Sequence, residues 1–453
     1  MEALLPLIQA AGVFVAIASG LWWRDRVWRR LSRRFGLTYE AQRPWGPRRL
    51  HGDVHGISVE LETHHTAARG GKKPRLRRTR CIAGRGALPA TLSAARINRL
   101  KNMWSTLMGT RVKVGDPVFD AKFQLSGDTT TVSAALNEAG RQRLVQLAEE
   151  DGGFVESGAV HAGRRGWFGG ERALGQLLER TLRTASELAA TPDDYPARLR
   201  YSAISDSAPG VKQRCARLLL EQYSDTPEAL DLAENRRHHA DPEIAMLAAL
   251  VSKDVLAVLE MVDAHHQPVA ARALAIERLA GVDRAAGSKL AVRFSAHKNG
   301  QLRLAACRAA EAFGLTDVLE AWLERRAKVT SEERATIGRA ALNSDGPIAA
   351  ACAAWCLGDL DAEELDRART LIRRDGDLRS VGPLAPQAKG PLRSGAVKRT
   401  ARSLLNHLQD KLNLSHNPGG LSLADDRTGE LSLPDAAAEG ALSDAEDNEE
   451  MAT

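Results

Sequence analysis

The stretch "HKNGQLRLAACRAAEAFG", residues 297–314, decides the fold of the second half of the chain. A polar turn with Gly300 comes first, and a run rich in Ala and Leu follows. Ala and Leu are among the strongest helix formers. Aromatic residues make up only 4% of the 453 residues, which favours helices packed through Ala and Leu over a β-sandwich. The stretch therefore predicts a turn followed by a helix in a mainly α protein.

The same plan recurs at four other places along the chain. The recurrences are "DSAPGVKQRCARLLL" from Asp206, "HADPEIAMLAALVS" from His239, "HHQPVAARALAIERLA" from His265 and "NSDGPIAAACAAWCLG" from Asn343. From Pro209 through Pro242 and Pro268 to Gly300, the intervals are 33, 26 and 32 residues. Such periods in paired helices resemble HEAT-type repeats, whose core forms only when the units stack. We expect a HEAT-like α-solenoid over residues 197–379; an irregular helical domain is the alternative.

The N-terminal segment combines an apolar run with a cluster of arginines. Leu4 to Trp23 are twenty residues without a charge, a length of about 30 Å as a helix, which matches the core of a bilayer. The residues predicted to lie at the membrane interface are Trp22, Trp23, Arg24, Arg26, Trp28, Arg29, Arg30, Arg33 and Arg34. Since positive charge marks the cytoplasmic side, residues 1–35 predict a single-pass anchor in a bacterial inner membrane, with most of the chain cytoplasmic. A buried helix is the alternative.

Residues 36–192 predict a small α+β domain. "LHGDVHGISVELET", residues 50–63, reads as strand, turn and strand, and Leu174 to Ala189 form a helical stripe that ends before Pro192. Seven basic residues lie between Arg69 and Arg80 without an aromatic residue. This composition predicts a solvated loop or a loop facing lipid headgroups, and nucleic-acid contact is the alternative.

A short motif lies in the middle of this predicted domain. From Phe119 to Leu125 apolar and polar residues alternate, which predicts a half-buried strand with Asp120 on its solvated face. The motif residues are Gly115, Asp116, Pro117, Phe119, Asp120 and Phe123, followed by Gly127 and Asp128. They resemble a G-D-x-x-F-D-x-x-F signature of uncharacterised bacterial membrane-anchored proteins with a small α+β domain. The resemblance implies a topology and no activity.

The sequence shows few candidates for metal-binding or catalytic residues. His51, His55, His64 and His65 have no suitably spaced acidic or thiol partner, so we expect no metal site. The five cysteines show no CxxC pair, which is typical of a reducing compartment. No P-loop, GxSxG, HExxH or kinase signature is found, so the sequence predicts neither an enzyme nor a cofactor.

The last part of the chain changes sharply in charge. We expect a linker at 380–396, a helix at 397–415 and a disordered acidic tail at 416–453. From Gly420 onward there are ten acidic residues against Arg427 alone, whereas residues 1–100 have nineteen Lys and Arg against six Asp and Glu. The tail repeats a Leu-Ser pair in "GGLSLAD", "GELSLPD" and "GALSD", from Gly419, Gly429 and Gly440. These copies predict short docking motifs or, alternatively, a solvating end.

Together these patterns predict a scaffold or adaptor that is anchored in a membrane and has no catalytic activity. Its helical repeats would bind a protein partner, with the tail as a second candidate binding element, and its basic N-terminal region would contact an anionic membrane surface. The alternative is a HEAT-like protein that binds or modifies nucleic acid. That alternative needs a basic stripe along the repeats, but Arg272, Arg278, Arg293, Arg303 and Arg308 are balanced by acidic residues.

Overall fold

The computed structural model divides the chain into two compact units, Met1–Arg236 (unit 1) and Arg237–Thr453 (unit 2). The described residues are 19, 22–41, 47–66, 76–97, 112–165, 170–324, 329–390, 394–412, 422–423 and 431–432. The predicted boundary between the α+β domain and the repeats, at 192–197, falls inside unit 1. The helices just beyond it pack against other helices of unit 1.

Unit 1 contains an antiparallel sheet with the strand order β1-β2-β3-β4-β8-β7-β5-β6. Its strands are β1 (Thr38–Ala41), β2 (Arg48–Val54), β3 (Ile57–Thr66), β4 (Leu76–Ala83), β5 (Ser93–Arg96), β6 (Phe123–Ser126), β7 (Phe154–Glu156) and β8 (Ala159–Arg165). One face of β3, β4 and β8 is buried through Val59, Leu61, Cys81 and Val160. Because the side chains alternate, the other face of these strands carries Glu60, Arg80 and His161.

The hairpin predicted within residues 50–63 is confirmed. β2 and β3 pair antiparallel, and Val54 faces Ile57 across a two-residue turn. His55 and Gly56 in that turn have φ of 54° and 80°, the positive values that tight hairpin turns require. The carboxylate of Asp53 accepts the backbone N–H of Gly56 at 2.7 Å and closes the turn.

Helices cover the buried face of the sheet and extend unit 1 toward its end. They are α1 (residues 22–35), α2 (Pro117–Lys122), α3 (Thr129–Ala135), α4 (Glu138–Asp151), α5 (Glu171–Leu188), α6 (Tyr195–Ser205), α7 (Pro209–Gln222) and α8 (Pro227–Arg236). α5 confirms the predicted helical stripe, because its Leu174, Leu178, Ala185 and Leu188 are all buried. α3 packs against α6 and α7, which ties the last three helices to the sheet region.

The strand predicted for Phe119–Leu125 is wrong in its first half. The chain forms α2 up to Lys122 and becomes strand β6 only at Phe123. Asp116 caps the helix and Pro117 begins it, and this start signal outweighs a short alternating pattern. Phe119 and Phe123 are both buried, as predicted, and their rings stack with centroids 4.7 Å apart.

Unit 2 is an array of helices in two rows. They are α9 (Pro242–Val251), α10 (Val255–Asp263), α11 (Val269–Val282), α12 (Arg284–Ser295), α13 (Gly300–Phe313), α14 (Thr316–Glu324), α15 (Ser331–Leu342), α16 (Pro347–Cys356), α17 (Ala362–Asp375), α18 (Leu378–Lys389) and α19 (Gly395–Lys411). α11 packs on α9 and α13, and α13 packs on α15. α14 packs on α12 and α16 in the same way. Contact with the second helix along the chain is typical of stacked repeats.

Polar contacts between these helices recur at a nearly constant separation in sequence. Arg308 reaches Glu277, 31 residues earlier, and Arg303 reaches Glu333, 30 residues later. Arg339 bonds Glu311 across 28 residues. The spacing agrees with the weak repeat in the sequence, and the likeness to HEAT repeats stays a prediction.

The linker predicted at 380–396 is wrong over its first part, because α18 runs from Leu378 to Lys389 with Pro383 and Pro386 inside it. Each proline removes a backbone donor. The burial of Val381 and Leu384, and a 3.1 Å hydrogen bond from the amide of Gln387 to the carbonyl of Trp355, hold the helix in the array. The predicted helix that follows is confirmed as α19, with Leu404, Leu405 and Leu408 buried.

The predicted transmembrane architecture is contradicted. Within the described ranges, no helix has both the length and the apolar character needed to cross a bilayer. The predicted placement in an inner membrane, with most of the chain cytoplasmic, loses its basis with it. The apolar run that carried these predictions, Leu4 to Trp23, lies outside the described residues except for Ser19, Trp22 and Trp23.

Candidate functional site

The residues predicted to lie at a membrane interface belong to α1, and α1 packs against the sheet. Val27, Trp28 and Leu31 are buried, with Trp28 only 4% exposed, so the Trp28 side chain is core and cannot reach headgroups. The apolar residues of this segment do share one face of a helix, as predicted, but that face packs into the interior of unit 1. Trp22 and Trp23, at the start of the helix, are 63% and 48% exposed.

The α1 arginines have different surroundings. Arg30 and Arg34 form ion pairs with Glu171 and Glu179 of α5. Arg26 lies over the Trp22 ring, 5.1 Å from its centroid. The remaining arginines of the predicted interface are Arg24, which is half-buried, and Arg29 and Arg33, which are exposed. The pairs on α5 show that part of this basic helix is matched within unit 1 itself.

The Gly-Asp-Pro motif builds a short, closely bonded turn. Asp116 accepts the backbone N–H groups of Val118 and Phe119 at 3.0 and 3.1 Å, which caps α2. Asp120 accepts those of Val114 and Gly115 at 3.1 and 3.0 Å. The prediction that Asp120 lies on a solvated strand face is therefore wrong: its carboxylate holds the turn that precedes its own helix.

Gly115 allows two segments of backbone to touch. It has φ of +97°, and a Cβ at this position would lie 2.6 Å from the carbonyl group of Gly210 at the start of α7. A Cβ on Gly210 would in turn lie 2.4 Å from the carbonyl oxygen of Gly115. Real Cβ atoms are not found this close to backbone, so both positions require glycine.

A buried ion network connects the motif with α4 and α7. Arg141 on α4 donates to both carboxylate oxygens of Asp206 at 2.9 and 2.8 Å, and its Nε donates to Asp116 at 3.0 Å. It also donates to the Leu136 carbonyl at 3.0 Å. The side chains of Arg141 and Asp206 are 3% and 0% exposed. Burial alone would lower the pKa of Arg141, but the hydrogen bonds and charge of Asp206 raise it overall.

This network fits a structural role better than a catalytic one. The bidentate guanidinium–carboxylate geometry is the strongest form of such a pair. The Arg141 guanidinium is held by two carboxylates and a carbonyl, which leaves it poorly placed to take a substrate. Next to it, a groove of about 340 Å³ lies between α2 and α4, with Val118, Phe119 and Val145 among its lining residues. Val118 is 68% exposed in this groove.

The cysteine thiols are not activated as nucleophiles. All five cysteines are unpaired and buried, and burial raises the pKa of Cys81, Cys215 and Cys307 to about 12. A thiol that stays protonated at neutral pH is neither a nucleophile nor a good metal ligand. Among the same residues no three His, Cys, Asp or Glu side chains come together as metal ligands.

His161 on β8 is a buried histidine. Its ring stacks on Phe154 at 5.0 Å, and the Arg80 guanidinium lies 3.0 Å from its Nδ1. A neutral ring with its proton on Nε2 accepts from Arg80 and donates to the Glu156 carbonyl at 3.3 Å. Burial, followed by the charge of Arg80, lowers the pKa of His161 below its usual value.

An apolar patch lies on the outer faces of α6 and α8. Tyr201 is 60%, Ile204 43% and Leu230 44% exposed. The two helices run side by side, because Arg200 bonds Asp231 and Arg236 donates to the Ala203 carbonyl. These three large apolar side chains are exposed on two adjacent helices, and we define Tyr201, Ile204 and Leu230 as the apolar patch.

Most of the array arginines considered for nucleic-acid binding already contact protein groups. Arg272 is buried and donates to the Val262 carbonyl at 2.9 Å. Arg293, Arg303 and Arg308 form ion pairs with Asp263, Glu333 and Glu277. Of the five arginines considered in the sequence, only Arg278 lacks an assigned contact of this kind within the described part of the array.

Two copies of the tail motif meet in the structure. Ser422–Leu423 (β9) and Leu431–Ser432 (β10) pair antiparallel, with Leu423 opposite Leu431. The segment was predicted to be disordered, and these four residues are an exception to that prediction. The other tail residues lie outside the described ranges.

Sequence reasoning missed Arg141, Asp206 and Gly210. Asp206 stands just before a Pro-Gly helix start, as capping residues do, so a cap could have been predicted there. Nothing in the sequence marks Arg141, because an arginine on a polar helix normally faces solvent. Its partner is 65 residues away, and only the fold brings the two together.

Comparison of the chain with protein-family models, with curated proteins and with solved structures gives no match. The resemblance of the Gly115–Asp128 motif to bacterial membrane-anchored proteins therefore stays a prediction.

Proposed function

We propose that the protein is a scaffold or adaptor without catalytic activity that binds a protein partner through α6 and α8, two helices of the predicted repeat region that belong to unit 1. The observation that carries this proposal is the apolar patch on α6 and α8. Tyrosine is enriched at the energetic centres of protein interfaces because it buries a large rigid surface and offers a polar hydroxyl. The contacts between α6 and α8 fix the patch before any partner arrives, which reduces the ordering cost of binding.

The surroundings of the patch indicate the chemistry of the partner. Arg200 and Arg236 are engaged by Asp231 and by the Ala203 carbonyl, while Glu234 is exposed on α8. The exposed carboxylate of Glu234, one helical turn after Leu230, can contact a basic group of a partner. A fitting occupant is an amphipathic segment of a partner protein, with two or three apolar anchors flanked by Lys or Arg.

The alternative function, nucleic-acid binding by the repeats, has less support. Affinity for nucleic acid comes largely from Lys and Arg that can neutralise phosphates. Arg272, Arg303 and Arg308 are already occupied by protein groups, so using them for phosphate would break contacts between neighbouring repeats.

The test compares two full-length variants in partner recovery and in binding. Tyr201→Glu with Leu230→Glu places two charges in the apolar patch, and Val118→Glu places one charge on an equally exposed apolar residue of α2. Quantitative mass spectrometry of reciprocal pull-downs identifies partners, and calorimetry with the purified partner gives Kd. The patch variant should weaken binding by about 30-fold or more, as loss of a hot spot does, and Val118→Glu should bind normally.

Circular dichroism and thermal melting verify that both variants are folded, which exposed positions should permit. Equal partner recovery by the two variants would refute the role of the patch. Recovery that nuclease abolishes, with an affinity that falls steeply with salt, would favour the nucleic-acid alternative.

A further inference from the structure

The last two helices of unit 2 are basic, whereas the helices before them are not. Residues 378–412 contain seven Lys and Arg and one Asp, a net charge of +6. Residues 237–377 contain nineteen Lys and Arg and twenty-one Asp and Glu, a net charge of −2. The basic charge of the array is thus concentrated in α18 and α19.

Three arginines of these two helices also differ from the paired arginines of the array. Arginines of the preceding helices, such as Arg308 and Arg334, are paired with carboxylates at 3.2 and 2.9 Å. Among the described residues, none of the carboxylates lies within ion-pair distance of Arg399 or Arg402 on α19, or of Arg379 on α18. All three are exposed.

The arrangement on α19 separates an inner from an outer face. Its inner face, with Ala401, Leu404 and Leu408, is fully buried in the array. Arg399, Arg402 and Asn406 recur at helical spacing on the exposed side, which gives the end of the array a polar outer surface. Arg373 of α17 lies at the edge of this surface, where it donates to Ser403 at 3.3 Å. We define the exposed side of α18 and α19 as the end face.

The chain carries a matching polyanion directly after α19. Residues 413–453 contain ten acidic residues and Arg427, a net charge of −9. Forty-one residues can span more than 100 Å when extended, and α19 is about 25 Å long. The tail can therefore reach every point of the end face.

We propose that the end face is a docking surface for acidic, extended peptide, and that the chain's own C-terminal tail occupies it. The opposite charges and the covalent link favour this occupant, because a segment joined to α19 binds the end face in an intramolecular step, at a high effective concentration. The contact is independent of the apolar patch and goes beyond the proposed function. An acidic partner that used this surface would have to displace the tail first.

Zero-length carbodiimide cross-linking of the full-length protein tests the contact, because it joins carboxylates to amines that touch. Tail carboxylates should link to Lys398 and Lys389 of the end face at low salt. The links should disappear near 1 M NaCl, where the Debye length is about 3 Å. Arg399→Glu with Arg402→Glu leaves both lysines in place and should reduce these links by at least about fivefold.

The matched control is Lys289→Glu with Lys298→Glu, two exposed lysines elsewhere in the array, which should leave the links unchanged. A mixture of ¹⁴N- and ¹⁵N-labelled protein separates links within one chain from links between two. Links between chains would overturn the proposal in favour of a second copy. Links to all exposed lysines alike, links unaffected by the Arg399 and Arg402 changes, or no links at low salt would overturn it outright.

A binding measurement adds an independent readout. A labelled peptide of residues 419–453 is titrated with the full-length protein and with a full-length variant whose tail acids are replaced by Asn and Gln. If the tail occupies the end face, the neutral-tail variant should bind the peptide about tenfold more tightly or better, because its own tail no longer competes. Equal affinity for the two proteins would contradict occupation by the tail.

Discussion

The Arg141–Asp206 pair of unit 1 and the ion pairs between the helices of unit 2 differ in burial and in what they connect. In unit 1 the Arg141–Asp206 pair is almost completely buried and joins segments 65 residues apart. In unit 2 the two partners of a pair are mostly about 30 residues apart, and most pairs are half-exposed, as in Arg308–Glu277 with 51% and 27% exposure. A buried pair costs much when one partner is lost, whereas an exposed pair contributes little.

The difference shows two ways to hold helices together. Unit 1 concentrates its buried contacts in one place, because the Gly115–Gly210 contact and the ion pairs of Arg141 hold the same turn against the α6–α7 connection. Unit 2 spreads its polar contacts over many similar positions, so that the loss of an exposed one costs little. Repeat arrays with only neighbour contacts tolerate this distribution.

The largest effect is expected for Asp206→Ala in unit 1. The change leaves the Arg141 guanidinium buried with only Asp116 as an acidic partner, and removing one member of a buried pair costs about 3–5 kcal/mol. Hydrogen exchange resolved by peptide in urea should show loss of protection in unit 1. Asp263→Ala, which removes an exposed partner of Arg293, serves as the control and should change stability by about 1 kcal/mol or less.

The double change Arg141→Met with Asp206→Leu sharpens this result. Replacing a buried pair with apolar residues of similar volume is often neutral, so it should recover much of the loss. Equal effects of Asp206→Ala and Asp263→Ala would show that the network is not central.

An intermediate effect is expected for Glu333→Ala, because the Glu333 side chain, which pairs with Arg303 in unit 2, is buried. Glu333 is 3% exposed, accepts from Arg303 Nε at 2.8 Å and from the Thr330 N–H at 2.8 Å. Losing hydrogen bonds to a charged group costs about 1.5–3 kcal/mol. Urea unfolding followed by the fluorescence of Trp322 and Trp355, with the other tryptophans replaced, reports on unit 2.

Glu277→Ala removes an exposed acceptor of Arg308 and should cost about 0.2–1 kcal/mol in the same measurement. If both changes had the same cost, burial would not be what distinguishes the two kinds of pair.

The smallest effect concerns the pH dependence of unit 1. The pKa of His161 is lowered in the folded state, by burial and then by Arg80, so the unfolded chain binds more protons below about pH 6.5. Stability of unit 1 should therefore fall as the pH decreases from about 6.5, with a slope of at most about 1.4 kcal/mol per pH unit from this residue. Urea unfolding at pH 7.5 and 5.5 measures it.

His161→Gln does not titrate and keeps an acceptor for Arg80, so it should flatten this part of the pH profile. The exposed His238 offers a control, since His238→Gln should leave the profile as it is. An unchanged profile for His161→Gln would assign the pH dependence to other groups.

Local patterns in the sequence predicted much of the secondary structure. The β2–β3 hairpin, α5 and α19 follow from alternation or helical spacing over ten residues or more. The errors arose where one sequence pattern is compatible with two different structures. Residues 119 and 123 lie on one face both in a strand and in a helix, and prolines in α18 resembled a linker.

The role of α1 was misread for a related reason. An amphipathic helix with arginines fits a membrane surface as well as a sheet, and the sequence does not show which apolar surface Trp28 covers. The candidate site was the least predictable part. The contacts of Arg141 and the apolar patch of Tyr201 and Leu230 depend on helices that the sequence alone does not place side by side.

The order of strands in the sheet has a consequence for synthesis of the chain. β4 pairs with β8, and in this pairing Ala83 lies opposite Val160 and Arg78 opposite Arg165. The β8 residues are synthesised long after their β4 partners. During translation the edge of β4 stays without its neighbour until about eighty further residues have been made, and unpaired edges are prone to wrong pairing. Each hairpin of the later array needs only its neighbour. A ribosome-bound chain is thus most exposed to misassembly before the helices of the array have been synthesised. A chaperone is needed most during this period.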